Sequence, residues 1–165
     1  MLVAAATPAI WPDAVAALTE PLWKYIEVGK PFPHFRTTTR DGRVLHLPVS
    51  DGRATVLAFW SPACGCNTWL PGMLEAANRD ADRILIVGLV IHRDAESDAQ
   101  IRAAHATFPI ADVSFEDMPQ FFRGGYGLPL TMLIDRSGIL REIVDGFDGA
   151  ARLVHRIASM RSQRR

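Results

Sequence analysis

The sequence has few cysteines and no net charge. Among its 165 residues, 18 Lys and Arg balance 18 Asp and Glu, and only two residues are cysteine. Two cysteines do not make the multi-disulfide scaffold of a small secreted domain. A balanced charge gives no indication of nucleic acid or of an anionic membrane surface as a partner. The composition therefore does not favour a disulfide scaffold or a protein that binds nucleic acid or anionic membranes.

The chain also lacks internal repeats, low-complexity segments and long linkers. Because 48% of its residues are hydrophobic, it can bury a large core in one domain. Its apolar start, MLVAAATPAIW, has no Lys or Arg before Lys24 and is too short to span a bilayer. We expect residues 1–27 to be an extension with a helix over 12–25, or the remnant of an export signal or anchor. Residues 28–165 then form the main domain.

Both cysteines lie in the stretch FWSPACGCN, as Cys64 and Cys66. The apolar run Val56–Trp60 before them predicts a buried strand, and NTWLPGMLEAANR after them predicts a helix. The pair is therefore expected at a strand-to-helix junction. Unpaired N–H groups and the helix dipole stabilise a thiolate there and lower the pKa of the first cysteine.

Strand and helix patterns alternate along the rest of the chain. Ile84–Ile91 is apolar on both faces, as in a parallel strand covered on each side. Asp135–Gly138 predicts a hairpin turn. The predicted strands are residues 43–48, 55–60, 84–91, 131–134 and 139–144, and the predicted helices are residues 66–80, 96–106 and 148–160. The pattern predicts an α/β domain with parallel strands and a terminal hairpin and helix.

Four segments together resemble a known family. They are VGKPFPHF at 28–35, FW at 59–60, GLPLTMLIDRSG at 127–138 and GF at 146–147. In their order and spacing the chain resembles the thioredoxin-like thiol-disulfide oxidoreductases of the TlpA/ResA type, which border the peroxiredoxin-like group. The resemblance implies a thioredoxin-like α/β fold, with a central mixed sheet flanked by helices on both faces.

The resemblance also implies a function. We expect a protein-disulfide oxidoreductase without a cofactor, acting on protein thiols and disulfides together with a redox partner protein. The family setting is extracytoplasmic, in the bacterial periplasm, and a membrane anchor in a longer form and a cytoplasmic location both stay open. A monomer is expected.

Further site residues follow from the resemblance. It implies that Pro129 is a cis-proline facing the cysteines, with Leu128 offering backbone groups to an extended substrate strand. Trp60 and Pro62 are expected to shape an apolar rim for substrate, although Trp60 at the end of a buried strand fits the core equally well.

The chain departs from the family in its cysteine spacing, which is CxC where the family has CxxC. Counting from FW places Cys64 at the nucleophilic position. If one loop residue is missing, Cys66 is the resolving cysteine and Pro71 falls at the helix proline of the family; otherwise Asn67 takes the second position. We prefer the deletion.

The two acidic proton acceptors usual in such sites are then absent. Ala58 stands where thioredoxins have a buried aspartate, and Trp69 where the family has a glutamate. Solvent or an unidentified group such as His92 is left to accept the proton.

The short spacing also bears on redox poise. Residues i and i+2 of an extended chain lie roughly 7 Å apart, beyond the usual disulfide Cα range of about 4.4 to 6.8 Å. The chain must bend at Gly65, and the small ring is expected to be strained and therefore easier to reduce. We expect a comparatively oxidising pair.

Three alternatives stay open. The two thiols could bind Cu(I), which accepts two thiolates, as in a thioredoxin-like copper carrier. The shared opening segment also permits a thiol peroxidase, although Ser61 lacks the preceding proline of that motif. An inert domain used for partner binding is the third. The histidines show no ligand spacing; they are His34, His46, His92, His105 and His155.

Overall fold

A computed structural model describes residues 26–61, 68–79, 82–114, 128–145 and 150–162. The helix predicted at 12–25 lies outside these ranges. The strands are β1 (Phe35–Thr38), β2 (Val44–Leu47), β3 (Ala54–Trp60), β4 (Ile84–Ile91), β5 (Ile110–Val113), β6 (Leu130–Ile134) and β7 (Leu140–Asp145). The helices are α1 (Leu70–Asn78), α2 (Ala95–Ala103) and α3 (Ala150–Ser162).

Five of the strands form one mixed sheet in the order β5-β4-β3-β6-β7. The pairs β3/β4 and β4/β5 are parallel, because a helix connects each strand to the next. The pairs β3/β6 and β6/β7 are antiparallel. The predicted α/β class, with a central mixed sheet and flanking helices, is confirmed.

The two central strands are buried along their whole length, which explains their unbroken apolar sequences. One face of the sheet contacts the helices, through Leu70 and Leu74 of α1, Leu153 and Ile157 of α3, and the half-buried Ile101 of α2. In the described ranges the opposite face is covered by the β1–β2 hairpin and the segment that leads to it. Because both faces of the sheet are covered, functional groups of these two strands can reach solvent at the strand ends.

The helix after β3 begins later than its sequence pattern suggested. Regular helix starts at Leu70, whereas we predicted a start at Cys66. Pro71 is the second helical residue, a position where the missing N–H of proline costs no hydrogen bond. Thr68 and Trp69 form a turn before it. Pro71 thus marks the start of α1, whereas the apolar spacing alone predicted a start that is too early.

Two strands, β1 and β5, were not predicted. Each has only four residues, and neither carries a long apolar run, as FRTT and IADV show. Pairing defines them: β1 forms a hairpin with β2, and β5 lies at the edge beside β4. The turn of the β1–β2 hairpin uses Gly42 with φ +83°, a conformation that favours glycine.

Candidate active site

One end of the sheet brings together two of the segments that the sequence analysis singled out, FW at 59–60 and the segment that contains Pro129. The carboxyl ends of β3 and β4 meet there, because Trp60 pairs with Val90 in parallel register. The start of β6 meets the same end, because Phe59 pairs with Leu130 in antiparallel register. In open α/β sheets, functional groups gather beyond the carboxyl ends of parallel strands. We call this end the site edge.

The cysteine segment leaves the sheet at this edge. Cys64, Cys66 and Pro62 lie outside the described residues, so their predicted roles remain predictions. On one side they follow Ser61, which is buried at the end of β3. On the other side they precede the turn at Thr68 and the start of α1.

The Leu128–Pro129 segment begins at the same edge. The peptide bond between these residues is cis, and so is the Leu47–Pro48 bond, which we did not expect. Pro129 is buried, whereas Leu128 is half-buried and packs against the core on the hairpin face. Because Leu130 is the partner of Phe59, this segment lies directly beside the point where the chain leaves β3 towards Cys64.

The side chain of Trp60 is fully buried on the helix face of the sheet. Its ring lies over Gly88 of β4, so closely that a Cβ atom there would stand 2.7 Å from Cη2 of the indole. Its Nε1 atom is buried and has no hydrogen-bond partner among the described residues. This burial fits the core role left open from sequence, and a part in substrate binding remains a prediction.

The described core offers no group that titrates. Its buried polar residues are Thr39, Thr55, Ser61, Ser97 and Thr131, none of which changes charge in the ordinary pH range. Ala58 is fully buried, and Trp69 packs against the helix-side core. The two positions at which the resemblance would place an acid thus carry residues that pack in the core.

Four charged residues form a network that borders the site edge on the side of β5. Arg40 from the β1–β2 turn binds Asp98 of α2 at 2.7 Å and Asp112 of β5 at 2.5 Å. Arg93, just after β4, adds contacts of 3.2 Å to Asp98 and 3.7 Å to Asp112. Hydrogen bonding from Arg93, with the nearby charge of Arg40, holds the pKa of Asp98 below its ordinary value.

No signal in the sequence could have found this network, since its members are distant along the chain. Arg40 and Asp112 are separated by 72 positions. The tight contact of Trp60 with Gly88 was also missed, because a lone glycine in a strand pattern has several explanations. The network joins the β1–β2 turn to α2 and β5, and the Trp60–Gly88 contact joins β3 to β4.

Comparison with solved structures identifies the architecture. A thiol:disulfide interchange protein of the thioredoxin family from Chlorobium tepidum superposes with a TM-score of 0.66 at 19% identity, over 82% of this chain and 98% of that one. A secreted disulfide oxidoreductase of Mycobacterium tuberculosis gives a TM-score of 0.63 at 17% identity, over 76% and 95%. This chain has a thioredoxin-like fold.

Other thioredoxin-like structures match equally well. The thioredoxin domain of a thiol-disulfide oxidoreductase from Bacteroides vulgatus gives a TM-score of 0.62 at 18% identity, over 79% of this chain and 97% of that one. No protein-family model matches the sequence, and no curated protein matches it either. At these identities the likeness establishes the fold.

Two further features of the thioredoxin-like domain concern membranes and metals. None of the helices in the described ranges combines the length and the apolar character that crossing a membrane requires. Among the same residues, no three His, Cys, Asp or Glu side chains come together as a metal site.

Proposed function

We propose that this protein is a thiol-disulfide oxidoreductase that exchanges disulfides with protein substrates through Cys64 and Cys66. One observation carries the proposal: the register of β3 with β4 and β6 brings the start of the cysteine segment beside the Leu128–Pro129 segment. A reactive dithiol needs such a neighbour, because a protein substrate must lay a strand next to the sulfur that is attacked. Solved structures of the same fold that are named disulfide oxidoreductases or interchange proteins support it.

The proposed cycle uses the two thiols in turn. The Cys64 thiolate attacks a substrate disulfide and releases one substrate thiol, which leaves a mixed disulfide. Cys66 then attacks the Cys64 sulfur, releases the second substrate thiol and closes the Cys64–Cys66 disulfide. Two electrons pass from the protein to the substrate. In the oxidising direction every step runs in reverse, and a redox partner protein restores the starting state.

Leu128 and Pro129 are the proposed docking segment for substrate. No hydrogen bond of a turn or loop joins the backbone of Leu128 to another described residue. Its N–H and C=O groups are therefore free, within this part of the chain, to pair with an extended peptide in the manner of an added strand. The ring of Pro129 is buried and anchors the segment beside β3.

We further propose that the pair is comparatively oxidising and works outside the cytoplasm. The CxC spacing closes a smaller ring than CxxC, and a strained disulfide is reduced more easily. Disulfides form and persist in oxidising compartments, where an oxidising pair has substrates to act on. The secreted disulfide oxidoreductase of Mycobacterium tuberculosis, which shares the fold, agrees with that location.

The decisive test is the equilibrium redox potential of the pair. Metal-free protein is titrated in glutathione or dithiothreitol buffers, and the thiols are alkylated and counted by mass spectrometry. We expect a reversible two-electron transition at a potential above the roughly −270 mV of thioredoxin. A transition at or below that value would refute the oxidising character. If no intramolecular disulfide formed at any poise, the cycle would be wrong and Cu(I) binding would need to be measured.

Matched serine variants separate the roles of the two thiols. Cys66→Ser should accumulate a mixed disulfide with a peptide substrate, because nothing resolves it. Cys64→Ser should accumulate none under the same conditions. Equal trapping by both variants would contradict the assignment of Cys64 as the nucleophile.

A further inference from the structure

Strand β5 lies at one end of the five-stranded sheet, beside β4. A strand in this position pairs with the sheet on one side, so its other side can accept a further strand. The sequence of β5 is IADV, which contains no proline that would prevent such pairing. Whether β5 can pair with a second extended chain therefore depends on what covers its outer side.

The strand register shows which backbone groups of β5 point away from the sheet. Ile110 is the partner of Gly88, and the N–H of Gly88 donates a hydrogen bond of 2.9 Å to the carbonyl of Pro109. In a parallel pair a residue bonds to the two neighbours of its partner, so Pro109 and Ala111 face β4. The backbone groups of Ile110 and Asp112 consequently face outward.

The turn of the β1–β2 hairpin covers this outer side through Arg40. The backbone N–H of Arg40 donates a hydrogen bond of 2.7 Å to the outward carbonyl of Ile110. Its Nε donates to the two carboxylate oxygens of Asp112 at 2.9 Å and 3.1 Å, and its Nη2 donates to Oδ1 at 2.5 Å. Arg40 thus occupies both outward positions of β5, one with its backbone and the other with its side chain.

A second carboxylate holds the guanidinium of Arg40 in this position. Nη1 of Arg40 donates a hydrogen bond of 2.7 Å to Oδ1 of Asp98 in α2. The three side chains are mostly buried, with exposed fractions of 20% for Arg40, 24% for Asp98 and 32% for Asp112. Salt screens partly buried charges less than it screens exposed ones, so the contact persists at ordinary ionic strength.

The outward groups of β5 are complementary to those of a second, identical strand. In an antiparallel pair centred on Ala111, Ile110 of each copy would face Asp112 of the other and exchange backbone hydrogen bonds with it. The two Ala111 residues would meet at the centre, in a pair whose side chains lie close together, where a small side chain fits. Such an interface uses the same surface on both copies, as a two-fold dimer requires.

We propose that the outer side of β5 is an interaction surface for a second copy of this chain, and that Arg40 holds it closed. While Arg40 is in place the chain is a monomer. Release of Arg40 exposes the outward groups of Ile110 and Asp112, and two copies join their sheets at this edge. Arg93 still contacts Asp98 at 3.2 Å and Asp112 at 3.7 Å, so the carboxylates keep a cationic partner after release. The inference does not depend on the chemistry of the cysteines.

The test measures the molar mass of the protein over a range of concentrations, by light scattering during size-exclusion chromatography. A reducing agent is present throughout, so that no disulfide forms between copies. The wild type should keep the mass of one chain, whereas the mass of Arg40→Ala should rise with concentration towards about twice that value, as a two-fold dimer requires. Arg43→Ala is the matched control, because Arg43 follows the same turn and pairs at 2.7 Å with Asp41 within it. It should behave like the wild type.

A second substitution identifies β5 as the place of contact. Asp112→Pro removes the outward N–H of β5 and no N–H that faces β4, a position in which an edge strand tolerates proline. Combined with Arg40→Ala, it should restore the mass of one chain. Arg40→Gln keeps the aliphatic stem and removes the charge, so it tests the same association if Arg40→Ala folds poorly. Far-UV circular dichroism checks the fold of each variant.

Three results would overturn the proposal. One is a wild-type mass that rises with concentration as steeply as that of Arg40→Ala, because the edge would then not be closed. Another is the mass of one chain at every concentration in natively folded Arg40→Ala or Arg40→Gln. The last is association of the variant that also carries Asp112→Pro, since the two copies would then meet at another surface.

Discussion

Gly88 occupies a position in β4 where the structure leaves no room for a side chain. A Cβ atom there would lie 2.7 Å from Cη2 and 2.9 Å from Cζ3 of Trp60, and 2.9 Å from Cε2 of Phe108. Both rings are buried, with exposed fractions of 0% and 3%. Moving the indole from 2.7 Å to an ordinary contact of 3.4 Å would require about 0.7 Å, in a core that packs as densely as an organic crystal.

We therefore expect Gly88→Ala to lower the free energy of unfolding by about 1–3 kcal/mol, the usual cost of overpacking. The matched control is Gly72→Ala in α1, where a Cβ atom would meet nothing within 4 Å. There alanine should raise the free energy of unfolding by about 0.5–1 kcal/mol, because glycine is the poorer helix former. The same chemical change thus has opposite expected signs at the two positions.

The assay is equilibrium unfolding in urea, followed by tryptophan fluorescence on fully reduced protein so that the redox state is constant. A third variant identifies the clash itself. Trp60→Phe replaces the indole by a smaller ring, so Gly88→Ala should cost less in that background, with a coupling of at least about 0.5 kcal/mol. The reasoning fails if Gly88→Ala stays within about 0.5 kcal/mol of the wild type, the range of an ordinary surface substitution.

Three further predictions concern contacts between elements. Glu75→Gln should cost about 1–2 kcal/mol in urea unfolding, because the carboxylate accepts bonds of 2.6 Å and 2.9 Å from Thr107; an unchanged midpoint would contradict it. Arg40→Ala should lower the midpoint of urea unfolding at low salt, because it leaves the carboxylates of Asp98 in α2 and Asp112 in β5 with fewer partners; an unchanged midpoint would argue against it. Burial opposes ionisation of Asp135, but hydrogen bonds from the Ile139 N–H and from Arg141 outweigh it and hold its pKa below the ordinary 3.8. The ionised Asp135 therefore stabilises the fold at pH values above 3.8, and this stabilisation is lost as the pH falls through the lowered pKa of the folded state. Asp135→Asn should make the free energy of unfolding fall less steeply with decreasing pH in the acid range. An equally steep fall in the variant would refute this.

Local patterns were sufficient for most of the fold. The apolar run at 84–91 predicted β4 with the bounds that the structure shows, because a strand buried on both faces must be apolar throughout. The DRSG turn predicted the β6–β7 hairpin, which the register confirms. These features depend on residues close together in the chain, so the sequence contains their cause.

Boundaries and short strands were less predictable. The start of α1 was placed four residues too early, because amphipathic spacing continues beyond the first turn whether or not the backbone is helical. β5 exists because β4 offers it a partner, not because IADV favours a strand by itself. Backbone pairing with a neighbouring strand therefore defines β5, whereas the strand propensity of its own residues does not predict it.

The sequence by itself determined that this protein has two close thiols after a buried strand, within an α/β chain whose segments follow a thioredoxin-like order. Only the tertiary structure decided which distant residues lie beside that strand and at its edge of the sheet. It aligned Leu130 with Phe59 and Val90 with Trp60, it packed Trp60 on Gly88, and it joined Arg40 to Asp112 across 72 positions. The physical reason is that strand register and side-chain packing are set by contacts among all elements at once, whereas spacing along the chain records only neighbours.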